Sequence, residues 1–123
     1  FAEGILAQQD ESGLWHQVLD LPRSYLETSC TGMFLLGICT GMRLGLLDPE
    51  VFEEPAWRAV EGLLRHGADA EGNIYGVCRG SGCSMDPDYY CNLGTVENDD
   101  HGTGILLSSL AQFLRYEEKK RSR

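Results

Sequence analysis

The chain has 123 residues, 42% of them hydrophobic, and carries a formal net charge of −9, which together fit one globular domain. So acidic a chain without a basic stripe repels a phosphate backbone, which argues against nucleic acid and leaves a small molecule or a protein as the expected partner. No apolar run is long enough to span a bilayer, and no membrane partner is expected.

The chain opens on Phe1, and Phe1 to Gln9 reads as the tail of an amphipathic helix, so a piece of a longer protein is expected. Asp10-Glu11-Ser12-Gly13 is a tight turn. Leu14 to Asp20 alternates enough to be extended, which puts Trp15 and Gln17 on one side. An aromatic face beside an amide suits a sugar ring, whose C–H face stacks and whose hydroxyls need two-way hydrogen bonds; the other reading of Trp15 is a buried core residue. Leu21 to Tyr25 is loop. Glu27 to Gly32, with three hydroxyl residues near the cap, opens a helix that runs to about Leu46. Its apolar residues, Met33, Phe34, Leu35, Leu36, Ile38, Met42, Leu44 and Leu46, spread round most of the cylinder, so burial nearly all round is expected. Gly37, Gly41 and Gly45 lie four apart, a stripe that would admit a neighbouring backbone. Glu27 is either a polar pocket group or a capping carboxylate.

Asp48-Pro49 starts the next helix by cap and first-position chemistry, Pro55 is expected to restart it, and Gly67 ends it. Trp57, Val60, Leu63 and Leu64 form one side and Glu54, Arg58, Glu61 and Arg65 the other, the pattern of an outer amphipathic helix. After a second turn, Asp69-Ala70-Glu71-Gly72, comes a long segment from Arg79 to Glu97, read over 80–97 as a loop at the lip of a pocket. Tyr89 and Tyr90 either line that lip or pack the loop down. Asp86 and Asp88 are a carboxylate pair in a setting that gives them no acid–base geometry. Asn98-Asp99-Asp100-His101-Gly102-Thr103-Gly104 then runs into an apolar helix over about 101–116. Asp99 or Asp100 can cap it, and its start can hold an anionic oxygen such as a carboxylate; a capping-loop histidine is the plainer reading of His101. Arg115 to Arg123 is expected to fray.

Cys30, Cys39, Cys78, Cys83 and Cys91 are an odd number, which favours a reduced, cytoplasmic setting. Cys78, Cys83, Cys91 and His101 crowd one region, but intervals of four, seven and nine residues match no common zinc pattern, and no metal is expected. The chain is also internally repetitive. Thr31-Gly32-Met33-Phe34-Leu35 matches Thr103-Gly104-Ile105-Leu106-Leu107, Ala2 to Leu6 matches Val60 to Leu64, and Asp10 to Gly13 matches Asp69 to Gly72. With a period of roughly 60 residues, the unit is a helical hairpin, an outer helix paired with an inner apolar one. Two such hairpins are too few to bury their inner helices alone.

Asp10 to Asp20, Tyr25 to Ser29 with Met33-Phe34, Gly76-Val77-Cys78 with Gly80-Ser81-Gly82, Tyr89-Tyr90 and Asn98 to Gly102 resemble, in that order, the C-terminal part of the unsaturated rhamnogalacturonyl hydrolases of glycoside hydrolase family 105. Family 88, the unsaturated glucuronyl hydrolases, is a more distant relation. The resemblance covers nearly the whole chain and implies an all-α fold, an (α/α)6 barrel of which these residues are the C-terminal hairpins. It implies removal of 4,5-unsaturated galacturonyl residues from pectin-derived oligosaccharides. An aspartate acts as general acid and base to hydrate the vinyl ether, and the hemiketal collapses to release the sugar. No metal or cofactor is implied. In that family the aspartate and an Arg-Gly-Asn-x-Trp pocket motif come before the part that resembles this chain, and no Arg-Gly-Asn-x-Trp occurs in these residues. The isolated chain is therefore expected to be inactive.

The resemblance carries His101, Gly102 and Thr103 over as the rim nearest an oligosaccharide substrate, with Trp15 and Tyr89 also in contact with it. Thr103 stands where an apolar residue is more usual, and Cys30 and Cys83 where small residues are. The rest of the barrel, or self-association, is expected to cover the inner helices. Two other classes stay open: a noncatalytic helical-ring binding protein, and another sugar enzyme of the same architecture, such as an unsaturated glucuronyl hydrolase. An epimerase or lyase would need histidine pairs or a tyrosine base that His16, His66 and His101 do not supply.

Overall fold

The computed structural model describes residues 1–122. In chain order it contains α1 (Ala2–Leu6), β1 (Trp15–His16), β2 (Leu26–Glu27), α2 (Thr28–Leu44), α3 (Pro49–Gly62), β3 (Val77–Cys78), α4 (Pro87–Cys91), β4 (Thr95–Val96) and α5 (Asp100–Arg121). The chain is mostly helical, and two two-stranded antiparallel ribbons are its only named sheets among the described residues, β1 with β2 and β3 with β4.

The repeat read from sequence is a repeat of geometry. Asp10 and Asp69 each wrap the chain round their own carboxylate, Asp10 accepting the Ser12 N–H at 2.9 Å and Asp69 the Glu71 N–H at 3.0 Å. Gly13 and Gly72 return a hydrogen bond to the aspartate carbonyls at 2.9 and 3.2 Å. Both glycines sit at left-handed φ, +89° and +87°, which side-chain-bearing residues rarely adopt. Their surroundings differ: a Cβ on Gly13 would lie 2.0 Å from the Arg58 carbonyl oxygen, whereas Gly72 faces open space. After each turn the chain makes a ribbon and then an inner helix, with Trp15 opposite Glu27 in the first copy and Val77 opposite Val96 in the second.

The inner helices α2 and α5 pack side by side and run parallel. Near their starts a Cβ on Gly32 would touch the Ile105 side chain at 3.4 Å, and near their ends Lys119 Nζ donates to the Arg43 carbonyl at 2.6 Å. Gly32 is thus where the helices approach closely, and the Gly37, Gly41, Gly45 stripe is not. Gly37 has nothing near it, Gly41 faces the Leu47 side chain of its own chain, and Gly45 is the left-handed residue that terminates α2. Burial of α2 is also one-sided. Leu35, Ile38, Cys39 and Met42 are buried, but Met33 and Leu44 are exposed, because α5 and α3 cover only part of the cylinder; Leu46, also exposed, lies beyond the end of the helix.

Helix α3 lies on the outside as expected, but its inward face is Phe52, Ala56, Ala59 and Val60; Trp57 and Leu64 are exposed, Trp57 resting edge-on against Phe113. Pro55 does not restart it. The helix runs unbroken through the proline and then widens into a π-helical turn over Leu63–Gly67. Pro55 is the seventh residue of α3, so its missing N–H forfeits the bond to the Val51 carbonyl; the residue is buried in the core side of the helix, and its own carbonyl accepts Gln9 Nε2 at 2.9 Å. The core joins Ile5, Trp15, Leu35, Ile38, Phe52, Val77, Leu106 and Phe113 from all these elements, and truncating such a residue as Leu35 to Ala costs about 2–5 kcal/mol. At the other end of the chain α5 reaches Arg121, past the expected end near 116, and its last turn carries Lys119, Lys120 and Arg121 against the negative helix terminus. Lys120 pairs with Glu53 of α3. Arg123 lies outside the described residues.

Candidate functional site

Because α2 and α5 are parallel, their N-termini meet at one end of the molecule. That end also carries both ribbons and the loop that joins β3 to β4, so it gathers the unpaired N–H groups and partial positive charge of two helices. Glu27 caps α2 and is 1% exposed. Its Oε2 accepts the Cys30 N–H, its Oε1 accepts the Cys78 N–H from β3 at 2.9 Å, and Ser29 Oγ donates to both oxygens at 2.8 and 3.0 Å. Thr28 adds an N–H bond to the Gly76 carbonyl at 2.9 Å. The capping reading of Glu27 is therefore right but incomplete, since one of its four bonds, that from Cys78, crosses between the repeats.

Asp99 holds the equivalent place on α5. Its Oδ1 accepts the His101 N–H at 3.0 Å and also pairs with His101 Nδ1, so Asp99 rather than Asp100 is the cap. The His101 side chain remains 57% exposed at the rim. Thr103 is half-buried one position beyond Gly102. Gly102 is buried, and a Cβ there would lie 2.3 Å from Val77 Cγ2, so it brings α5 against β3 rather than presenting backbone to a ligand.

The lip segment contains more order than a loop. Its base is tied by the β3–β4 pairing and by Arg79 N–H donating to the Gly94 carbonyl at 3.0 Å. Within it, Asp86 caps the short helix α4 by accepting the Asp88 N–H at 2.9 Å, and Asp88 pairs with Arg23. These bonds employ both carboxylates in holding the loop. Tyr89 Oη accepts the Gly82 N–H at 2.9 Å, Tyr90 Oη accepts from Ser84 N–H at 2.9 Å and donates to its carbonyl at 3.1 Å, and the two rings meet edge to face. Tyr89 still shows 37% of its surface, so it both packs the loop and offers an aromatic edge.

Trp15 does not face this end. It is fully buried, donates from Nε1 to the Ile5 carbonyl at 2.7 Å and meets Phe34 edge-on, which leaves no ring face for a sugar. Strand alternation showed its side but not what covers that side. Gln17, its neighbour in that reading, is half-buried and points Nε2 at Cys78 Sγ, 3.6 Å away. Tyr25 is a residue the sequence did not single out. Burial raises the pKa of its hydroxyl, and the Cys78 sulfur and the Glu27 charge add to the effect. Burial likewise raises Cys30, with Glu27 second. Neither thiol nor phenol here is poised to ionise. Arg79, also unremarked in sequence, lies against Gly94 with no carboxylate within ion-pair distance among the described residues.

The end of the molecule that carries the two helix N-termini thus displays exposed His101 and half-buried Thr103, and the loop above it carries the Tyr89 edge and the Arg79 cation, groups whose chemistry suits an anionic, hydroxyl-rich molecule. Glu27, at the base of the rim, is buried with both oxygens bonded. Among the described residues no three His, Cys, Asp or Glu side chains converge as metal ligands, and no helix is long and apolar enough to cross a membrane. An apolar groove of about 200 Å3 lies elsewhere, between α1 and α2, lined by Ile5, Met33, Phe34 and Leu47.

Residues 1–117 match the family model described as Glycosyl Hydrolase Family 88. The chain is 34% identical over 129 aligned positions to a 24.9 kDa protein in the picA locus of Rhizobium radiobacter, covering 90% of this chain and 55% of that one. It is 26% identical to the unsaturated rhamnogalacturonyl hydrolase YesR of Bacillus subtilis, covering 94% of this chain and 31% of that one. The chain thus spans about half the length of the first of these relatives and less of the second. Among solved structures, a possible member of the GH105 family from Salmonella enterica superposes with TM-score 0.86 at 32% identity, over 93% of this chain and 29% of that one. A family 105 glycoside hydrolase from C. acetobutylicum superposes with TM-score 0.80 at 29% identity, over 95% of this chain and 35% of that one.

Proposed function

Since the chain belongs to glycoside hydrolase family 88, in its group with family 105, we propose that it forms part of an (α/α)6-barrel hydrolase that removes 4,5-unsaturated galacturonyl residues from rhamnogalacturonan oligosaccharides. The observation that carries the reading is the convergence of the α2 and α5 N-termini under the loop from β3 to β4, with His101 exposed at the junction. An unsaturated uronate bears a carboxylate and hydroxyls. Helix N-termini, the Arg79 cation and the Thr103 hydroxyl match that chemistry, and the Tyr89 edge suits the apolar face of the ring. The choice of galacturonyl over glucuronyl rests on the likeness to YesR and to the family 105 structures.

In this reading the 123 residues bind and orient. The rim fixes the uronate so that an acid–base aspartate, which the family resemblance puts outside these residues, can hydrate the C4–C5 double bond; the hemiketal then collapses and the sugar leaves. His101 positions the substrate and carries no proton in the reaction. Exposed Met33 and Leu44 on α2, Leu46 just beyond its end, and Leu107 and Leu114 on α5 are the surfaces that further hairpins, or a second copy of the chain, would cover.

The test uses the protein that carries this chain and follows loss of the ultraviolet absorbance of the conjugated double bond. Unsaturated rhamnogalacturonan disaccharide should be turned over in preference to an unsaturated glucuronyl disaccharide. The opposite preference would assign the glucuronyl activity, and turnover of neither would favour the noncatalytic binding protein. The isolated 123 residues should turn over neither.

A further inference from the structure

Helix N-caps favour short side chains, Ser, Thr, Asp and Asn, whose oxygen falls naturally on the N–H two or three residues ahead. The second copy obeys this with Asp99, which bonds only within α5. The first copy uses Glu27, and the extra methylene has a visible use: the carboxylate caps Cys30 with one oxygen and reaches the Cys78 N–H, 51 residues away, with the other. Cys78 is the last residue before the loop, and Arg79 begins it. Glu27 is 1% exposed and is held by neutral donors alone, with no Lys, Arg or His nitrogen within ion-pair reach among the described residues. A buried carboxylate of this kind is costly to keep unless all its bonds are made, so the position of the Cys78 N–H is fixed with it.

We propose that Glu27 is a positioning residue for substrate binding: it sets the seat of the loop running from Arg79 to Gly94 over the N-termini of α2 and α5, and through that loop the placement of Arg79 and Tyr89. This rests on the proposed function for the substrate, but not for the position of the loop. Glu27→Gln keeps the shape and turns one acceptor into a donor, so either Cys30 or Cys78 loses its bond. Glu27→Asp keeps a cap for α2 and is too short to reach Cys78.

The experiment measures hydrogen exchange and steady-state kinetics in the protein that carries this chain, with Asp48→Ala, which removes the α3 cap bond to Glu50 N–H, as the control for lost stability alone. Both Glu27 variants should exchange faster across residues 77–96 and raise KM roughly tenfold, the scale of one hydrogen bond to a charged group, with kcat within about threefold. Asp48→Ala should change neither. Unaltered exchange across residues 77–96 in Glu27→Asp, or an unaltered KM in a folded Glu27 variant, would overturn the proposal. If Glu27→Gln does not fold, Glu27→Asp decides. Should the wild type not act on unsaturated galacturonyl disaccharides, the substrate reading fails while the exchange comparison still decides whether Glu27 seats the loop.

Discussion

Gly102 and Val77 are in contact across the two repeats so closely that a Cβ on Gly102 would fall 2.3 Å from one Val77 methyl and 2.7 Å from the other. Valine is stiff at χ1 and cannot swing aside. Gly102→Ala must therefore push the start of α5 off β3, and the expected destabilisation is about 1–3 kcal/mol from overpacking. Thermal unfolding measures it, and an unchanged midpoint would contradict the contact.

Trp15→Phe keeps most of the core volume and deletes the N–H that donates to the Ile5 carbonyl. The carbonyl keeps the Gln8 N–H at 3.0 Å and loses only this second bond, which costs about 0.5–1.5 kcal/mol in chemical denaturation. KM for the oligosaccharide should not change in the same variant. A raised KM at unchanged stability would return Trp15 to the sugar.

Asp69 is held down to a pKa of about 2 from 3.8, chiefly by hydrogen bonds from the side chains of Asn73 and Tyr75 and then by the Asn73 backbone. A carboxylate depressed on folding stabilises the native state above its unfolded pKa, and that contribution is lost as pH falls through the folded value. The window is thus from about pH 4 down to about pH 2. Asp10 is lowered too, first by Ser12, and its contribution is lost on the acid side in the same way. Asp69→Asn should flatten the acid limb of a stability-against-pH curve, and an unaltered limb would show that the turn carboxylate contributes nothing.

His101→Ala, in the protein that carries this chain, should weaken turnover while leaving the unfolding free energy within about 0.5 kcal/mol of wild type, because the ring is largely exposed. Full activity would remove His101 from the site.

The repeat and the two inner helices were legible because their signals are local: an aspartate and a glycine three residues apart define the turn, and caps define the helix starts. What escaped were relations between distant residues. Nothing near Glu27 announces Cys78, nothing near Gly102 announces Val77, and an alternating Trp15 reads the same whether its side is covered or open. The glycine stripe of α2 misled for the same reason, since four-residue spacing describes a surface without naming a neighbour. Pro55 misled because one forfeited N–H bond inside a helix is a cost that packing can offset and not by itself a stop. At the rim, His101 was visible from its place after a capping aspartate, whereas Arg79 and Tyr25 gained meaning only from what surrounds them in space.

The two Asp-x-x-Gly turns share one backbone conformation, yet they should drift unequally over evolutionary time. At Gly72 only the left-handed φ selects, so asparagine, which tolerates that region, is an accessible replacement. At Gly13 the Arg58 carbonyl excludes any side chain at all. Among descendants of this chain, position 13 should remain glycine where position 72 varies, and the older symmetry of the repeat should fade from the second turn first.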